Sequence, residues 1–108
     1  MQIKKTYTEV NPELLNAEIK DFILKQGAEL GENKLETFTL PDESASFITR
    51  STMTFSVSGK QALEVHMVGS ARGDTKLMID VDEKLFPQEK LNALQSDLDF
   101  IFSSYEAK

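Results

Sequence analysis

The sequence predicts an α+β fold, a two-layer sandwich in the order β-α-β-β-β-β-α, with an antiparallel sheet and both helices on one of its faces. Three observations carry this. Residues 47–81 hold apolar sets at alternating spacing, Phe47, Met53, Phe55 and Val57, then Leu63, Val65 and Met67, then Leu77, Ile79 and Val81, the pattern of strands covered on one side. Two other segments repeat apolar residues at helical spacing: Leu15, Ile19, Phe22 and Ile23, and Leu91, Leu94, Leu98, Ile101, Phe102 and Tyr105. Two helix stripes and one apolar sheet face bury each other as two layers.

A chain of 108 residues fits a single domain spanning 1–108, large enough for one continuous core. Hydrophobic residues at 40% and charged residues at 28% are those of a folded globular protein. The formal net charge of -6 repels a phosphate backbone, and the cations are scattered singly, so no nucleic acid partner is expected. The absence of cysteine excludes disulfides, thiolate metal sites and cysteine nucleophiles, and points to a reducing, cytoplasmic setting. No apolar run follows Lys4-Lys5 and no segment approaches a membrane span, so no membrane partner is expected either.

Taken in order, residues 2–10 carry Ile3, Thr6, Tyr7, Thr8 and Val10, a strand-favouring set read as an edge strand. Asn11-Pro12-Glu13 then supplies a capping side chain, a proline at the first helical position and an acid near the positive end of the helix dipole. The helix runs to about Gln26, with Lys25 in the last turn and Gly27 after it as the stop. Glu13, Asn16 and Lys20 lie away from its stripe, while Leu14, Ala17 and Leu24 beside or behind it predict a broad buried surface. Gly31-Glu32-Asn33 reads as a turn, 34–40 as a strand, and Pro41-Asp42-Glu43-Ser44 as its end.

Parity fixes the register of the later strands, because a hairpin must keep both apolar sets on one face. The turn near Gly59 is expected to use three residues, Ser58 to Lys60, or to contain a bulge. Ala71-Arg72-Gly73 is expected to be a three-residue turn with glycine in the left-handed position. Residues 83–86 lead into a closing helix from Pro87 to about Tyr105.

The element order, the meander, the glycine turn Gly73-Asp74-Thr75 and the long closing helix together resemble the TBP-like fold in single copy. More loosely, the chain is similar to the START / Bet v1-like (helix-grip) superfamily. The likeness covers nearly the whole chain and is topological. In helix-grip proteins a curved sheet wraps the closing helix, and the gap between them holds an apolar ligand. The resemblance therefore implies non-catalytic binding of a small hydrophobic ligand here, with Phe47, Met53, Phe55, Val65, Met67, Leu94, Leu98 and Ile101 as the lining. The chain lacks the extra helix and strands that widen that gap, and the alternative is that these residues close on one another as core. TATA-binding relatives grip DNA with tandem units, which one acidic unit is not expected to do.

No catalytic residue, cofactor or metal site is expected. His66 is the sole histidine, and the register puts it on the wet face between Thr52 and Met78, where a role as general base needs an orienting partner and a nucleophile within reach; a solvated strand histidine is expected. Glu64 falls opposite Asp80, with Asp82 two residues along, a carboxylate group able to share a proton or hold a cation only if a pocket and further ligands exist. On the closing helix Phe100 points away from Leu91, amid Ala93, Ser96, Ser103 and Ser104. An aromatic knob on a small-residue surface suits a partner, so Ala93, Ser96 and Phe100 are candidate interface residues. A protein-interaction or assembly module, a homodimer using this surface or the outer sheet face, is the alternative to the ligand binder.

Overall fold

A computed structural model describes residues 2–39, 47–70 and 73–102, the side chain of Phe47 excepted. Among them the chain forms, in order, β1 (Gln2–Thr8), α1 (Pro12–Lys25), β2 (Glu29–Thr39), β3 (Phe47–Val57), β4 (Lys60–Ser70), β5 (Asp74–Val81) and α2 (Gln88–Phe102). The strands make one antiparallel sheet ordered β1-β5-β4-β3-β2. The expected edge strand β1 is at one edge, and β2 is the other. Both helices lie against the same face, since their stripes share one buried cluster with Met53, Phe55, Leu63, Val65, Met67, Leu77, Ile79 and Val81.

Helix α1 begins as its sequence dictates. Asn11 is extended, and its Oδ1 accepts the Leu14 backbone N–H at 2.7 Å, satisfying one orphan donor of the first turn. Leu15, Ile19 and Ile23 are buried, and Phe22 packs against the cluster's rim. Two expectations are corrected. Leu14, Ala17 and Leu24 are exposed, because no described element lies over the back of the helix. Asn16, expected away from the apolar stripe, is buried against Ser51 of β3.

The start of α1 is pressed close to the sheet. A β-carbon at Gly69 of β4 would fall 2.2 Å from Cγ of Pro12, so only glycine admits the proline ring at that height. The turn after β3 takes the bulged form. Ser58 and Gly59, at φ 54° and 79°, close a two-residue turn between Val57 and Lys60, and the register shifts past Phe55, which restores the apolar parity. At the next turn Gly69 faces Thr75 and Gly73 is left-handed, at φ 91°, while Ala71 and Arg72 lie outside the described residues.

Gly31-Glu32-Asn33, expected as a turn, is instead a bulge within β2, where the register shifts between Leu30 and Asn33. Thr54 of β3 explains it. Its Oγ1 accepts the Glu32 backbone N–H at 2.8 Å and sits 2.7 Å from where a β-carbon of residue 31 would be. The Pro41-to-Ser44 strand end falls outside the described residues.

Helix α2 buries Leu91, Leu94, Leu98 and Phe102. Ile101, expected in the same stripe, is 39% exposed. At 100° per residue it lies about 20° beyond Leu94, at one margin of the stripe, and Phe102 lies about 20° beyond Leu91 at the other. Phe102 is buried because that margin faces β1, where it meets Tyr7 edge-on at 5.7 Å. Lys5 bridges to Asp99 at 3.2 Å and Lys90 Nζ donates to the Gln26 carbonyl at 2.7 Å, tying α2 to β1 and to the end of α1. Tyr105, Ser103 and Ser104 lie outside the described residues.

Candidate functional site

The residues expected to line a ligand gap sit in the sheet–helix core. Met53, Phe55, Val65, Leu94 and Leu98 have no exposed surface and Met67 has 1%; Ile101 is at the exposed margin, and the Phe47 side chain is outside the described residues. A hollow of about 360 Å³ opens to one side of this core, at the start of α1, lined in part by Val10, Pro12, Thr49, Ser70, Gly73 and Thr75.

That end of the inner face is polar. Ser51 Oγ donates to Asn16 Oδ1, Thr75 Oγ1 donates to the Val10 carbonyl at 2.6 Å, and the hydroxyls of Thr37 and Thr49 lie 3.1 Å apart. Sequence reasoning passed over Thr49, Ser51 and Thr75 because they are polar, although they occupy the inward parity. Parity was the signal that could have found them.

On the outer face His66 faces Thr52 and Met78, and Glu64 faces Asp80, as the register predicts. Glu64 Oε1 lies 2.6 Å from His66 Nε2, and its other oxygen accepts from Gln61 at 3.3 Å. Asp80 accepts instead from Gln2 at 2.9 Å. Each carboxylate thus has its own amide donor, Gln61 for Glu64 and Gln2 for Asp80. An open hollow of about 600 Å³ beside them is lined by Gln2, Gln61, Glu64, Asp80 and Asp82 among others. Among the described residues no three His, Cys, Asp or Glu side chains group as metal ligands.

The outer surface of α2 presents Phe100 at 88% exposure, with Ser96 exposed and Ala93 half-buried. Where α2 meets α1, the carboxyl of Glu18 is held above the ordinary glutamate range. Burial is the first cause, followed by its hydrogen bond with Asp97 and repulsion from Asp97 and Asp21, with Lys25 acting the other way. Asp97 Oδ2 is buried and has no hydrogen-bond partner among the described residues.

The most exposed element is β2. All eleven of its residues are exposed, whereas each other strand buries part of its length. Leu30 and Leu35 face the helix side, opposite Phe55 and Ser51, and Phe38 faces outward opposite Ile48. Leu35 is 41% exposed and Phe38 47%. The expected strand over 34–40 includes Leu35 and Phe38 but not Leu30, and its place at the edge was not legible, because position in the sheet order is not written in a strand's own pattern.

Among the described residues no helix is long and apolar enough to cross a membrane. Comparison with protein-family models, curated proteins and solved structures finds no match.

Proposed function

We propose that this chain is a non-catalytic assembly module that associates through its exposed β2 edge. One observation carries the reading: a strand of eleven residues, last in the sheet order among the described residues, is exposed throughout and bears Leu30, Leu35 and Phe38. Edge strands are ordinarily blunted by shortness, cover, bulges or charge in proteins that stay monomeric; here the bulge between Leu30 and Asn33 blunts one end, and Asn33 to Thr39 runs on as a regular ladder with Leu35 and Phe38 exposed. Sedimentation velocity from low to high micromolar concentration tests it. Reversible association is the expected result, and a monomer throughout would overturn it.

The hydrophobic-ligand reading is second. It is supported by the likeness to single-copy TBP-like and helix-grip units, which rests on element order and the one-sided helices. Most residues expected to line the gap are packed in the core, and the hollow of about 360 Å³ beside Val10 and Pro12, of a size that small molecules occupy, is a different place, lined by none of them among the described residues. Native mass spectrometry is its test: a retained small molecule supports it, and a bare chain after gentle purification counts against it.

A further inference from the structure

We propose that the partner at β2 is a second copy of this chain, paired antiparallel to β2 about a two-fold axis through Leu35. This rests on the assembly reading above and adds the occupant and the register.

The register follows from backbone geometry and charge. Residues whose N–H and C=O point outward alternate along an edge strand, so two identical strands related by a two-fold can pair only with the axis at a residue, i opposite i. The ladder of β2 is uninterrupted from Asn33 to Thr39, and the bulge breaks it before that. An axis at Asn33 runs the pairing through the bulge. An axis at Lys34 or at Glu36 sets like charges face to face, which is destabilising. An axis at Thr37 pairs no charges and sets Leu35 against Thr39.

Centred on Leu35, the same strands place Leu35 against Leu35, each Lys34 against a Glu36, and each Asn33 against a Thr37. The leucines meet on the helix side of the sheet, because Leu35 shares the face of Ser51. The two Lys34–Glu36 pairs lie on the outer side. Among the described residues Lys34 bridges to Glu32 through an exposed contact at 3.3 Å, a weak tie that leaves it able to meet a second carboxylate. A two-fold normal to the sheet also keeps both α1 helices on one face of the joined sheet. Leu24, Leu30 and Leu35, each more than a third exposed, then have apolar surface to meet on the partner.

The test is a charge exchange read by sedimentation. Lys34→Glu alone opposes glutamates at both pairs, and Glu36→Lys alone opposes lysines, so each is expected to weaken self-association about tenfold. The double variant K34E/E36K restores it, and so does mixing the two single variants, whose charges complement each other. The variants are surface changes, and far-ultraviolet circular dichroism checks that each is folded. A dimer indifferent to all of them, or one lost only in Phe100→Asp, overturns this register while leaving assembly standing. A wild-type monomer at every concentration overturns assembly itself, and with it this inference.

Discussion

The ring of Pro12 rests on the backbone of Gly69, so near that a β-carbon there would lie 2.2 Å from Pro12 Cγ and 2.9 Å from its Cδ. A proline ring cannot swing aside as the end of a long side chain can. Gly69→Ala is therefore expected to cost about 1–3 kcal/mol through overpacking, read as a lower urea midpoint. Combining it with Pro12→Ala, which deletes the clashing atoms, should return part of that loss; an additive double variant would refute the contact.

The Asn16–Ser51 pair yields a second test. Both side chains are buried, and the Ser51 hydroxyl donates to Asn16. Asn16→Leu leaves that hydroxyl unpaired inside the protein, a loss of about 1–3 kcal/mol. Adding Ser51→Ala removes the orphan, so the double variant should be more stable than Asn16→Leu alone. Equal stability of the two would mean the hydroxyl had found water or another partner.

Glu18 sets the pH dependence of the contact between the helices. Its carboxyl pKa is raised by burial and by Asp97, so the folded state holds a proton that the unfolded state has released, and stability falls as pH rises from the ordinary glutamate range through the raised value. Glutamine mimics the protonated acid. Glu18→Gln is expected to raise the melting temperature at pH 7 and to match the wild type in acid below the ordinary range. A difference that did not vary with pH would assign the effect to packing.

Much of this fold was legible because its chemistry is local. Asn11-Pro12 sets the start of α1, and the parity of Met53, Val65 and Ile79 sets the register of three strands, which in turn places His66 beside Thr52 and Glu64 opposite Asp80. What escaped depends on neighbours distant in sequence. Asn16 is polar on a wheel drawn alone and buried only because Ser51 stands beneath it. Gly31 resembles a turn residue until Thr54 is brought against it. The exposure of Leu35 and Phe38 follows from β2 being last in the sheet order, a property of topology and not of the segment. For that reason the candidate surface at Phe100 was legible from one helix, and the edge at β2 was not.

Hydrogen exchange at residues 33–37 is the most direct test of the central claim, that β2 is where the chain assembles. Backbone amides that point outward from a free edge exchange rapidly, and pairing protects them. Raising the protein concentration through the range of association is predicted to slow exchange in this segment, while the edge amides of β1 and the amides around Phe100 remain unchanged. Protection that grows around Phe100 instead, or exchange at 33–37 that is indifferent to concentration while the protein associates, would contradict the account.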